Sequence, residues 1–239
     1  MTQPQIVTVD VGYHNRDLEK TRGRLEKSKT YQDLSTVIVC PTRGHIHAKV
    51  VQSWMGLMRP MNQKVIGPIF AIGMEVGEAY NQLINIILSN PDLSTWKYVL
   101  TIEEDNVPPP DGLMKLYENM DKFDVIGGLY WTKGIEGQPM IYGSPAVMPK
   151  NFMPQMPLTD TIQECNGLGM GFNLFKIDIF KKLPAPWFKT LQEYTPGQGA
   201  KLMTQDLFFF ENAAKIGCRF ACDTRVKVGH FDSDQDIMW

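Results

Sequence analysis

Glu103, Glu104 and Asp105 are three consecutive acids at the end of an apolar run, KYVLTI (97–102), and three prolines follow at 108–110. Carboxylates packed this closely raise one another's pKa unless a cation or hydrogen-bond donors stabilise them. A divalent metal is the simplest such cation. Hard carboxylate oxygens suit Mg²⁺ or Mn²⁺, which commonly bridge a few protein ligands to substrate phosphates. The competing reading of the acids alone is a charged loop open to water. Two more chemistry-bearing groups lie downstream: Asp206 at the start of a helical run, where the helix dipole also favours an acid, and His230 at the end of a strand-like run.

For such groups to act together, the chain must bring the ends of several strands to one place. Residues 35–40 (STVIVC) form a β-branched run that Pro41 halts; 65–71, 97–102 and 124–129 (DVIGGL) are further strand candidates. Helical spacing lies between them. It covers 45–58, with Val50, Val51, Trp54 and Leu57 on one face, and 79–88, stopped by Asn90-Pro91; a third helix is capped by Asp111 and runs to about Met120. This alternation predicts an α/β fold with an open, mostly parallel sheet and right-handed crossovers. Ligands in such sheets gather at the carboxyl ends of the strands. Pro41-Thr42-Arg43 and the three acids at 103–105 both fall there.

Beyond Leu129 the pattern loosens. Residues 131–163 read as turns with short strands, 188–203 as loop, 204–216 as a helix stopped by Gly217, and 219–230 as a strand ending in His230. Gly167, Gly169 and Gly171 either let backbone approach a ligand closely or form a plain turn. Trp131 is a stacking platform for a sugar ring or an ordinary core or rim aromatic, and Phe208, Phe209 and Phe210 read as core packing.

A formal net charge of −2 gives the whole protein no electrostatic footprint for polyanions, which argues against general nucleic-acid binding and leaves only a local basic patch open. The segment 14–30 carries six Lys/Arg against three Asp/Glu and reads as a solvated helix or arm. Cys218 and Cys222 form a CxxxC pair, but no second pair completes a zinc site, so Cys40, Cys165, Cys218 and Cys222 read as buried free thiols. No apolar run approaches the roughly 20 residues needed to span a bilayer, and the N-terminus lacks the pattern of a secretory leader. The expectation is a cytoplasmic protein without a membrane anchor.

The chain resembles the GT-A glycosyltransferases. The resemblance is carried, in order, by IVCPTRG (38–44), YVLTIEEDNVPPP (98–110) with its D-x-D-like triplet, NGLGMGFNLFKIDIF (166–180) and TQDLFFFENAAKIGCRFACDTRVKVGH (204–230). It implies one catalytic domain over 35–230, with a nucleotide-binding half (35–130) and an acceptor-side half (131–230), after a charged extension (1–34) and before a tail (231–239). It also implies a site. Pro41 and Thr42 would border the nucleoside, Arg43 the phosphates, and Asn81 the base or ribose. Glu103 and Asp105 would hold the outer D-x-D positions, with Glu104 on the donor side between them and Gly169 close to the sugar. Asp105 and His230 would ligate Mn²⁺ or Mg²⁺, Glu103 would face the ribose or the metal, and Asp206 would be the catalytic base. A Glu in place of the first Asp, and Gln205 before Asp206 where the family often has Glu, are departures.

The implied activity is transfer of a sugar from a nucleotide diphosphate sugar, a UDP-sugar being favoured, to a hydroxyl on a glycan, a protein or a modified nucleic-acid base, as in a viral setting. Two other classes are weighed against it. A sugar-phosphate nucleotidyltransferase would carry a glycine-rich loop after the first strand, where CPTRGH has one glycine. A degenerate sugar- or partner-binding module would have no need of Asp105, Asp206 and His230.

Overall fold

Every residue of β1 (Thr36–Thr42) is buried, the condition of a strand covered on both faces. Alternate side chains go to opposite sides: Val37 and Val39 enter one hydrophobic core, Ile38 and Cys40 the other. The computed structural model describes residue 24 and residues 32–61, 63–195 and 199–239. The basic segment at 14–30 therefore lies, apart from Arg24, outside the described residues.

After β1 come α1 (Ala48–Met55), β2 (Val65–Ile72), α2 (Val76–Ser89) and β3 (Tyr98–Ile102). Both β2 and β3 pair with β1 in parallel. Pro41 does not halt β1, which continues to Thr42 against Ile72. Pairing with β3 has ended by Val39↔Thr101, so by Pro41 the strand has one open side and a missing N–H breaks no ladder there. In α2 the buried residues Ala79, Tyr80, Leu83, Ile84 and Ile87 recur at helical spacing and form the stripe that faces the sheet.

Next come β4 (Asn106–Val107), α3 (Gly112–Tyr117) and β5 (Val125–Leu129). The helix expected over 111–120 is shorter, and Asp111 makes no capping hydrogen bond. Its carboxylate is buried and pairs with Lys115 at 3.2 Å, one turn along. An acid that would cap an exposed helix start is here drawn under the helix by a buried cation.

The second half contains β6 (Ile141–Tyr142), β7 (Ile162–Cys165), β8 (Gly167–Leu168), β9 (Phe172–Lys176), α4 (Ile177–Lys182), β10 (Leu191–Thr195), β11 (Gly199–Met203), α5 (Gln205–Lys215), β12 (Phe220–Lys227), β13 (Gly229–Asp232) and β14 (Ile237–Met238). The main sheet runs β2-β1-β3-β9-β5-β12-β7. It is mostly parallel, as expected, but β9 enters antiparallel between β3 and β5, and β7 is antiparallel to β12. Part of 188–203, expected as loop, is instead the antiparallel hairpin β10–β11. Residues 231–239, expected as a tail, hold the second half of β13 and all of β14, and β13 pairs in turn with β4.

Both cores position the ends of β1, β3, β5 and β12. The one beneath α2 and α5 is strongly aromatic: Phe209 stacks on Phe188 at 5.1 Å between centroids and meets Phe175 edge-on at 5.4 Å. Phe209 and Phe210 are fully buried there, in line with their sequence reading. All four cysteines are free thiols, and Cys40, Cys165 and Cys222 are buried.

Candidate active site

Strand β3 delivers Glu103, Glu104 and Asp105 into a tight turn closed by Asn106 N–H donating to the Glu103 carbonyl at 3.0 Å. Consecutive side chains in such a turn diverge. The triplet therefore does not form one acidic cluster; each carboxylate enters a different environment.

Glu103 points inward, where the hydroxyl of the buried Tyr80 donates to its Oε1 at 3.3 Å. Burial, reinforced by the charges of Asp105 and Asp206, pushes its pKa up to about 7, against the pull of His230 and Tyr80. Glu104 turns to the end of β1. Its Oε2 accepts from Thr42 Oγ1 at 2.6 Å and from Arg43 N at 2.8 Å, and the Arg43 guanidinium closes on Oε1. Partial burial opposes ionisation of Glu104, but these donors outweigh it and hold the carboxyl below its ordinary range.

Asp105 faces the third direction. Lys133 Nζ donates to its Oδ2 at 2.6 Å, and His230 Nε2 stands 3.3 Å from the same oxygen. Burial would raise this carboxyl, yet His230 and Lys133 together bring it down to about 2. His230 is fixed from both sides. Its backbone pairs with Asn106 across β13–β4 and exchanges two hydrogen bonds with Trp239, while Phe231 N donates to the Asp105 carbonyl at 2.7 Å. The last residues of the described chain thus build the wall that carries the histidine.

The ring of His230 has a defined tautomer. Nδ1 lies 2.8 Å from the Trp131 carbonyl oxygen, which can only accept, so Nδ1 carries the hydrogen. A hydrogen on Nε2 donates to Asp105 Oδ2, the contact that lowers that carboxyl; without that hydrogen Nε2 is a lone pair facing a carboxylate oxygen, an arrangement stabilised when a cation lies between them. Two ligands on one ion with bonds of about 2.1 Å and a right angle between them are about 3.0 Å apart, close to the observed 3.3 Å. Asp105 and His230 therefore fit a metal in donor type, tautomer and spacing. Glu103 does not join them, and among the described residues no group of three His, Cys, Asp or Glu side chains is placed to hold an ion. A pair of protein ligands completed by substrate phosphates is a normal arrangement for Mg²⁺-type sites.

Asp206 is buried at the first turn of α5. Its Oδ1 accepts from the Thr204 hydroxyl and from Leu207 N at 2.9 Å. Burial nevertheless raises its pKa. Its charge acts on Glu103 and on the buried Tyr130.

Other expected positions have occupations of their own. Pro41 is buried in β1, and Arg43 is exposed but held by Glu104. Asn81 donates to the Phe188 carbonyl at 2.7 Å and accepts from the N–H groups of Trp187 and Phe188 at 2.9 and 3.1 Å. Both ends of its amide hold the chain after α4. Gly169 and Gly171 serve close packing: a Cβ on Gly169 would sit 2.3 Å from the Tyr130 hydroxyl, and one on Gly171 2.7 Å from that ring. Tyr130 in turn meets His230 edge-on at 5.6 Å. Sequence reasoning passed over Lys133, Tyr80 and Tyr130. The signal for Lys133 was its position, four residues past the end of β5 at the same sheet edge.

The sequence matches no protein-family model and no curated protein. Solved structures match in shape. The crystal structure of A197 from STIV aligns with TM-score 0.59 at 17% identity, covering 85% of this chain and 92% of the other. GalNAc-T7, crystallised with UDP, GalNAc and Mn²⁺, aligns with TM-score 0.53 at 10% identity over 84% of this chain and 44% of its own length, so this chain spans less than half of it. S. aureus TarS 1–349 is more distant, at TM-score 0.45 and 12% identity over 79% and 57%. At these identities the likeness concerns the fold, and the mixed sheet with its flanking helices is GT-A-like.

Proposed function

We propose that this chain is a metal-dependent glycosyltransferase that moves a sugar from a nucleotide diphosphate sugar to an acceptor hydroxyl. The observation that carries the reading is the Asp105–His230 pair, with a carboxylate oxygen and a tautomer-fixed imidazole nitrogen 3.3 Å apart at the carboxyl edge of a GT-A-like sheet. This pair would hold Mn²⁺ or Mg²⁺, whose charge would stabilise the departing nucleoside diphosphate. Thr42 and Arg43, locked to Glu104, shape the wall on which the nucleotide lies. Asp206, buried and raised in pKa, removes the proton of the attacking acceptor hydroxyl, which implies inversion at the anomeric carbon.

UDP-sugars are the favoured donors, since one solved neighbour of the same fold, GalNAc-T7, was crystallised with UDP. A glycan, a protein or a modified nucleic-acid base is the acceptor class, and no helix of the described residues is long and apolar enough to cross a membrane. The test is hydrolysis and transfer assayed with a panel of nucleotide sugars, with Mn²⁺ and with EDTA. Metal-dependent release of one nucleoside diphosphate supports the reading. No turnover and no nucleotide binding under any condition would leave a binding module without catalysis.

A further inference from the structure

Two cationic or ligating groups converge on one oxygen. Lys133 Nζ is 2.6 Å from Asp105 Oδ2, and the same Oδ2 is the one facing His230 Nε2. Both partners of the ion pair are sheltered, with side-chain exposures of 30% and 24%. An ion bridging Oδ2 and Nε2 through bonds of about 2.1 Å would fall within about 4.7 Å of an ammonium that lies 2.6 Å from the same oxygen. At that separation the repulsion between a dication and an ammonium exceeds what one charge-assisted hydrogen bond contributes. The ammonium and the metal therefore exclude each other on this oxygen.

The loop that carries Lys133 is built to let it leave. Its stem is fixed: Trp131 bridges to Pro139, Thr132 N donates to the Gln138 carbonyl at 2.9 Å, and Gln138 N donates to Thr132 Oγ1 at 2.8 Å. Beyond the stem the chain turns through Gly134 at φ +107°, and Ile135 at the tip is 96% exposed. Lys133 sits one residue past this stem, on a four-carbon side chain whose head can swing several ångströms without any backbone change. The strongest new anion at that moment is the diphosphate that completes the ion's coordination.

Resting on the metal-dependent reading above, we propose that Lys133 is a placeholder cation. It neutralises Asp105 in the metal-free protein, yields Oδ2 to the incoming ion, and then binds the donor diphosphate. One side chain thus has opposite effects on the two ligands: it competes with the metal and assists the nucleotide.

The test measures Mn²⁺ binding by electron paramagnetic resonance without nucleotide, and UDP binding at saturating Mn²⁺ by calorimetry. The proteins are wild type, Lys133→Met, which keeps the stem without charge, and Lys133→Arg, which keeps the charge; melting curves without ligand confirm that each is folded. Removing one charge-assisted bond is expected to tighten Mn²⁺ binding about tenfold in Lys133→Met and to weaken UDP binding about tenfold, with Lys133→Arg near wild type. Equal Mn²⁺ affinity in wild type and Lys133→Met would overturn the placeholder role while leaving the metal reading intact. Unchanged UDP affinity in Lys133→Met would overturn the transfer to diphosphate. Absence of Mn²⁺ binding in all three proteins would overturn the placeholder and the metal reading together.

Discussion

His230 Nε2 stands 3.3 Å from Asp105 Oδ2 across 125 positions of sequence. The approach is fixed by the main chain, since Phe231 N donates to the Asp105 carbonyl and His230 pairs with Asn106. A side-chain pair tied to its own backbone ladder is preorganised, and a ligand that enters it need not first order it.

Asp105→Asn and His230→Ala should therefore abolish metal-dependent nucleotide binding without unfolding the protein. In wild type, UDP with Mn²⁺ at about a hundred times the dissociation constant stabilises the fold by about 2.7 kcal/mol, a rise of several degrees in Tm for a domain of this size. Both variants should lose that rise. A full thermal shift in Asp105→Asn would sink the assignment of Asp105 as ligand.

Asp206→Asn addresses the chemical step alone. The amide retains the oxygen that accepts from Thr204 and Leu207 but cannot take a proton. Loss of a general base costs about 10²- to 10⁴-fold in kcat, while nucleotide affinity should be unchanged. Wild-type kcat in this variant would remove Asp206 from the chemistry, and an anomeric configuration retained in the product would do the same.

The strands were legible because their apolar runs are dense and β-branched, and the end of β3 was legible as a site because acids there need an explanation. What each acid does was not. The direction of a side chain leaving a turn depends on two or three backbone dihedrals, so the sequence reading kept Glu103 with Asp105, whereas Tyr80 draws it inward. Strand direction was hidden for the same reason: FNLFK has the apolar density of a buried strand whichever way it runs, and β9 runs antiparallel. Lys133 looked like any surface lysine in a loosely patterned segment. Its meaning comes from a neighbour 28 positions away.

Asn81 separates a structural residue from a binding one. Its amide makes three hydrogen bonds to the backbone of Trp187 and Phe188, both largely buried. Asn81→Ala should lower stability by roughly 2–3 kcal/mol, because buried backbone groups lose their partners, and should leave nucleotide affinity per folded molecule within about twofold. Chemical denaturation read beside calorimetry checks both. A stable variant with weakened nucleotide binding would return Asn81 to the donor site.

Glu103 should make the metal-free protein less stable as pH rises. Its carboxyl moves from 4.5 to about 7, chiefly through burial and then through the charges of Asp105 and Asp206. A group that binds its proton more tightly in the folded state contributes fully below its unfolded pKa and loses that contribution as pH climbs through the folded one. The window is therefore about pH 4.5 to 7, and the change is on the order of 3 kcal/mol. Asp105 works in the opposite sense: held near 2 against an ordinary 3.8, its contribution is present above 3.8 and lost only in stronger acid, outside this window. Glu103→Gln keeps an acceptor for Tyr80 but does not titrate. Urea midpoints in EDTA at pH 5 and pH 8 should fall more for wild type than for Glu103→Gln, and identical differences would mean that Glu103 ionises as an ordinary carboxyl.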